Sequence, residues 1–398
     1  MRTLLTNGVL IDGTARAPVA DTHLVIDGEV IRDVHSGARP AGRFDEVIDL
    51  EGRFVLPGLI ELHGHLCWDG SADPVATNDR EGPEVTLVRM VRHARETLLA
   101  GITTFRDLGC VEDLSLVLER TIRLGLVPGP RLFACGKTIV MTGGHDPFWG
   151  IFCDGPQACV AAVRGQVSKG ARLIKVSATG GVYGRTEGEE VGQSELTLEE
   201  LRAICDEAHR LHRRVASLAL GERGVEHSVE AGCDTIEHGI FGGQGVLRRM
   251  AREGRFLTPT LAIYRMIAEG SGPEYAKVKA QACVARHRET FTMARALGVS
   301  IAAGSDTGSP GMPHPALFDE LDEMAAQGMP PLEVLQAATQ TNARALGVEA
   351  TLGTAEPGKL ADLLIVEKNP AEAIAALRAP WGVMQGGRIV RQGARVFV

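Results

Sequence analysis

A chain of 398 residues, 44% of them apolar, can bury a core larger than one ordinary domain, and its 48 glycines suit many turns between short elements. A net charge of −8 without basic runs argues against nucleic acid and an anionic membrane as partners. The N-terminus carries no signal-peptide hydrophobic region, no stretch is long and apolar enough to span a bilayer, and the eight cysteines form no Cys-x-x-Cys pair. The expectation is a soluble, cytoplasmic protein of enzyme size that meets a small molecule.

The first fifty residues read as short strands with hairpin turns. In 24–34, Asp27-Gly28 separates two alternating runs, a strong hairpin signal. At the other end, 361–366 reads as a strand and 382–391 as a hairpin turning at Gly386-Gly387. Two all-β ends around a long middle predict one small β domain built from 1–55 and 352–398. Between them, strand-like segments fall at 56–63, 101–107, 131–136, 172–177, 214–220, 234–238, 256–261 and 299–305. Helical patterns lie between most of these, including 84–99 and 197–211, the latter opened by a Thr197-x-x-Glu200 capping box. Eight strands alternating with helices predict an α/β fold, a (β/α)8 TIM barrel over 56–351. The rival, an open doubly wound sheet, is disfavoured by the count of eight and by the lack of Gly-x-Gly-x-x-Gly after a strand.

In a barrel, function gathers where the strands end. The polar residues there are His63 and His65 on the first strand, Asp107 on the second, Lys175 on the fourth, Glu237 and His238 on the sixth and Asp306 on the eighth. His145 lies in the Gly-rich loop after the third. Side chains two apart on a strand share a side, so His63 and His65 leave together at a spacing that lets them share a cation. A hydrolytic metal centre needs N or O ligands, an open position for water and a base. His63, His65, His238 and Asp306 supply such ligands from separate strand ends. The residues alone leave plainer readings open: a packed core histidine at 238, a turn or N-cap aspartate at 306 and a snorkelling or ion-paired lysine at 175. Loop 143–152, with Phe148, Trp149 and Phe152, reads as a lid, a substrate wall or an ordinary surface loop. Cys67 reads as a small buried hydrophobe or a group facing the site. Glu320 and His314 read as substrate contacts or helix caps.

Val55-Leu-Pro-Gly-Leu-Ile-Glu-Leu-His-Gly-His65, Gly101-Ile-Thr-Thr-Phe-Arg-Asp107, Thr142-Gly-Gly-His145 and Ile174-Lys-Val-Ser-Ala-Thr-Gly-Gly181 carry a family resemblance. Thr235-Ile-Glu-His-Gly239, Gly304-Ser-Asp306 and Pro357-Gly-Lys-Leu-Ala-Asp362 extend it along almost the whole chain. The sequence resembles the amidohydrolase superfamily, in the branch of prolidase-like and N-acyl-amino-acid or dipeptide hydrolases related to imidazolonepropionase. The resemblance implies a (β/α)8 barrel with a small β-sandwich from both termini, one or two divalent metal ions such as zinc, and often a homo-oligomer. It implies that His63, His65 and Asp306 hold one metal, that Lys175 is carboxylated to bridge two, and that His238 holds the second. Asp306 would be the base that activates water, and His145 and Tyr183 would meet the substrate's carbonyl or carboxylate.

One stretch departs from the family pattern. Where relatives carry His-Ala-His-Gly after the fifth strand, this chain has Leu218-Ala-Leu-Gly221, and leucine cannot ligate a metal. His209, His212 and His227 lie on flanking helical patterns and are poor substitutes. The departure implies a weakly held second metal, a mononuclear site, or a barrel turned to non-hydrolytic chemistry as a lyase, isomerase or cyclase. Leu218 and Leu220 also make the mouth more apolar, which favours an apolar or aromatic substrate group.

Overall fold

The computed structural model describes residues 1–184 and 188–398. Both chain ends join a single nine-stranded sheet. Its spine runs from Arg395–Val396 through Arg388–Gln392, Pro380–Gln385, Leu363–Val366 and Phe54–Pro57 to Arg2–Leu10, Val19–Asp27 and Val30–Ser36, with Glu46–Asp49 paired to Arg2–Leu10. Both glycine turns expected from sequence close hairpins, with Asp27 opposite Val30 and Gln385 opposite Arg388. Leu5, Leu24, Val55, Leu363 and Met384 form the core beneath this sheet.

The middle of the chain supplies parallel strands with helices between them. Leu59–Gly64, Ile102–Asp107 and Arg131–Ala134 form one group. Ile174–Ser177, Val215–Ala219, Thr235–His238, Phe256–Thr258 and Ser300–Ile301 form a second. Arg172 N donates to Ala134 O at 2.9 Å between the groups, and Asp306 N donates to His63 O at 2.8 Å between the last strand segment and the first. Each of the eight segments expected from sequence overlaps one of these strands, although the first is divided at Gly58, with Phe54–Pro57 joining the terminal sheet, and the last two shrink to Phe256–Thr258 and Ser300–Ile301. The first two are buried along their whole length, the pattern of parallel strands covered on both faces.

Two differences from the sequence reading have local causes. The helix expected from 84 begins at Pro74, where the Asp73 side chain caps Ala76 N. Its geometry breaks at Gly82, with φ 76° ahead of Pro83, so only the part beyond the break shows clean periodicity. Short strands Thr138–Val140 and Gly150–Phe152 pair with each other and bracket the loop that carries His145 and Trp149. The helix Leu198–Arg210 opens with the full capping box at Thr197 and Glu200. Among the described residues no helix is long and apolar enough to cross a membrane.

Candidate active site

His63 and His65 end the first parallel strand with ring centroids 5.5 Å apart, and the His238 ring lies 5.0 Å from that of His63. In each ring Nδ1 faces an acceptor. His63 Nδ1 donates to Glu237 Oε2 at 2.9 Å, and His65 Nδ1 donates to Gly109 O at 3.1 Å. His238 Nδ1 donates to Thr260 Oγ1 at 2.7 Å, because that hydroxyl spends its own proton on Pro259 O. The three Nε2 atoms are thereby left as acceptors, and the partners fix the ring orientation a metal ligand requires.

Asp306 meets these nitrogens, with Oδ1 at 3.3 Å from His65 Nε2 and 3.9 Å from His63 Nε2. Ligand atoms of His63, His238 and Asp306 all lie within 4.8 Å of one another. Two neutral-imidazole nitrogens and a carboxylate, with His65 beside them, fit a divalent cation. Burial holds the His63 pKa near 4 and that of His238 well below the usual histidine value, so both are neutral, the form that ligates. Burial alone would raise Asp306, yet it is held far below the carboxylate range. His63, His65 and His238, whose rings crowd around its carboxylate, together outweigh that burial.

The surrounding residues hold this arrangement in place. Glu237 is fully buried and accepts from Arg106 Nη2 at 2.7 Å as well as from His63 and Thr235. Glu61 accepts from the backbone N–H of both His63 and Ser305, which ties the first strand to the segment carrying Asp306. Ser309 Oγ donates to Asp306 Oδ1 at 2.8 Å. His238, Thr260, Asp306 and Asp146 all have left-handed backbone, with φ of 70°, 52°, 62° and 63°. Each such non-glycine residue costs of order 1–3 kcal/mol and gathers where function needs it.

A cavity opens over these groups, walled by Trp68, Trp149, Val182, Leu218, Ile263 and Ile267. Trp149 stacks on His65 at 4.7 Å, and Trp68 packs against Trp149 at 4.3 Å. His145, Lys175, Tyr183 and Leu218 line the same cavity, whereas Leu220 is fully buried and is not part of its wall. Tyr183 points its hydroxyl at Asp73 Oδ1, 2.6 Å away. Lys175 is 2% exposed and makes no hydrogen bond or ion pair among the described residues; burial lowers its pKa against the pull of Glu237, Asp146 and Asp306. Cys67 is buried with its Sγ towards Gly109 O. Glu320 accepts from Leu261 N and Ala262 N, capping the helix Leu261–Ala268, and His314 stacks on His93.

His145 sits in its own carboxylate nest. Its Nδ1 is 2.5 Å from Glu189 Oε1, its backbone N–H donates to Glu195, and its Nε2 is 3.4 Å from Asp146. Burial would lower its pKa, but Asp146, Glu189 and Glu195 outweigh that and raise it to about 9. A histidine raised in the fold contributes stability that is complete below its unfolded value and is lost as pH rises through the folded one. The unfolding midpoint therefore falls between about pH 6.5 and 9, the interval between the ordinary and the folded value. His145→Gln flattens that slope, and a slope unchanged in the variant, measured by denaturation across pH, removes this role.

Sequence reasoning missed Trp68, Asp146, Tyr264 and Thr260. Trp68, three residues after His65, was readable as a neighbour of the histidine pair. Asp146 and Thr260 are brought in by loop geometry, for which the sequence carries no periodic signal, and Tyr264 by the helix Leu261–Ala268, which packs its ring 5.5 Å from that of His238.

Residues 54–390 match the amidohydrolase family. The chain belongs to that family. This amidohydrolase is an enzyme acting on C–N bonds. It is similar to ochratoxinase of Aspergillus niger, 28% identical across 98% of this chain and 86% of that protein. It is also similar to imidazolonepropionase of Symbiobacterium thermophilum, 27% identical across 91% and 85% of the two chains. Among solved structures, a Xaa-Pro dipeptidase with methionine bound in its active site is 32% identical, with a TM-score of 0.91 over 98% of this amidohydrolase and 100% of that chain.

Proposed function

We propose that this amidohydrolase uses one divalent cation, zinc by its donor set, to hydrolyse an amide, carbamate or related C–N bond of a small molecule bearing an apolar or aromatic group. The observation that carries the reading is the convergence of His63, His238 and Asp306 on one point beneath an aromatic wall. A bound cation at this point supplies Lewis acidity and makes water a stronger acid.

The chain's own residues do the rest. Asp306 stays ionised and stands beside His65, so its carboxylate can take a proton from water and return it to the leaving amine. His145, cationic at neutral pH, faces the cavity and suits the substrate's carbonyl or carboxylate oxygen, with Tyr183 closing the same side. Trp68, Trp149 and Leu218 exclude water and pack the apolar group. Lys175, a buried amine without a hydrogen-bond or ion-pair partner among the described residues, suits carboxylation: its nitrogen attacks CO2 and loses a proton, leaving an anionic carbamate that would offer an oxygen to a cation. Leu218, which lines the same cavity, offers no second nitrogen, which supports one cation rather than two.

The same reading takes the eight parallel strands as a closed (β/α)8 barrel over 56–351. It takes the nine-stranded sheet as a small β-sandwich of 1–55 and 352–398. The link from Asp306 N to His63 O supports closure. Eight free, buried cysteines support a reducing, cytoplasmic compartment.

The names of the relatives, ochratoxinase and Xaa-Pro dipeptidase, support hydrolysis at a C–N bond. The test compares kcat/KM for aromatic N-acyl amino acids with that for arginyl dipeptides. An aromatic side chain buried on such a wall is worth about 1.5–3 kcal/mol, so the aromatic substrates lead by roughly tenfold or more. A preference for arginyl dipeptides contradicts the substrate class.

A further inference from the structure

A second cavity, of about 490 Å³, lies at the opposite end of the strands, where they begin. Arg172 and Leu173 precede the strand Ile174–Ser177, and Arg213 and Arg214 precede Val215–Ala219. Arg106 and His212 complete the basic part of its lining, and among the described residues no carboxylate lines it.

The positive charge there is poorly compensated. Arg106 is neutralised by Glu237 at 2.7 Å, but the other three arginines are not matched in this way. Arg213 donates to the carbonyl oxygens of Ala171, Leu211 and His212, which bind its protons without cancelling its charge. Arg172 has Glu119 at 3.9 Å, and Glu119 also meets Arg123 at 3.4 Å. Arg214 has Asp234 at 3.9 Å, and Asp234 already accepts from His209 and from Val215 N at 2.8 Å each. Three guanidinium groups around one cavity thus share two distant, occupied carboxylates, in a chain whose net charge is −8.

A planar guanidinium fork matches the oxygens of phosphate or carboxylate. Phe133, under Arg172 at 5.4 Å, and Leu173, Leu346 and Val348 give the same cavity an apolar wall. We propose that this cavity is a binding site for a small organic oxyanion, held by Arg172, Arg213 and Arg214 with its carbon body against Phe133.

The test follows the unfolding temperature of the full chain while inorganic phosphate or citrate is titrated against chloride at matched ionic strength. The expected result is saturable stabilisation by phosphate, citrate or both, and an affinity at least tenfold weaker in the double variant R172Q/R214Q. Hydrolysis is unchanged in that variant, because neither residue touches the catalytic cavity. Both side chains are well exposed, 47% and 39%, so the variant keeps its fold. Stabilisation by phosphate alone identifies a phosphate-bearing ligand, and by citrate alone a carboxylate-bearing one. No effect beyond chloride, or equal affinity in the double variant, overturns the proposal.

Discussion

Asp306→Asn lowers kcat on any good substrate by about 10³-fold or more and leaves the protein folded. Proton transfer by a placed side chain is worth about 10²–10⁴ in rate, and Asp306 is also one of the three groups that converge on the cation position. Asparagine keeps the size of the side chain and an oxygen for Ser309 Oγ, now 2.8 Å from Asp306 Oδ1, so packing survives. The comparison is kcat alongside the thermal midpoint. A variant within tenfold of the parent removes Asp306 from the chemistry. A variant that is inactive but also unfolded would instead assign it to the fold.

Glu237→Ala has the largest expected effect on stability. Glu237 and Arg106 are 0% and 2% exposed, and the alanine leaves the Arg106 charge buried with only Leu62 O and the Thr235 hydroxyl as partners. Breaking one side of such a pair costs about 3–5 kcal/mol, a large part of the 5–15 kcal/mol that ordinarily separates folded from unfolded chains. The same change frees His63 Nδ1, and loss of a partner behind a ligating histidine typically weakens metal affinity about 10–100-fold. Denaturant titration and cation titration measure the two effects separately. A loss under about 1 kcal/mol with unchanged cation affinity contradicts both roles.

The parts of the fold that were legible in the sequence are those governed by periodicity. Strands such as Leu59–Gly64 and Ile102–Asp107 are buried on both faces, and Leu59, Ile60 and Leu62 in one and the β-branched Ile102, Thr103 and Thr104 in the other mark them as strand-like despite the polar residues they carry. The His63 and His65 pair was legible because a strand's two-residue repeat dictates where both rings go. The same repeat misleads at Glu237 and His238. Adjacent strand residues should face opposite ways, yet Glu237 hydrogen-bonds His63 while the His238 ring lies 5.0 Å from it. The left-handed backbone of His238, φ 70°, breaks the alternation, and nothing in the residue names announces it. The replacement at Leu218 was visible, and the structure puts that side chain on the cavity wall; Leu220, paired with it in the sequence reading, turns into the core. Thr260 and Asp146 reach the site through comparable backbone turns, φ 52° and 63°, which is why pattern alone passed over them.

The most direct test of the central claim is the divalent metal content per chain of purified, active protein, with activity followed through chelation and stepwise return of zinc. The account predicts one cation per chain, loss of hydrolysis on its removal and full recovery at one equivalent. Full activity in protein free of any divalent cation contradicts it.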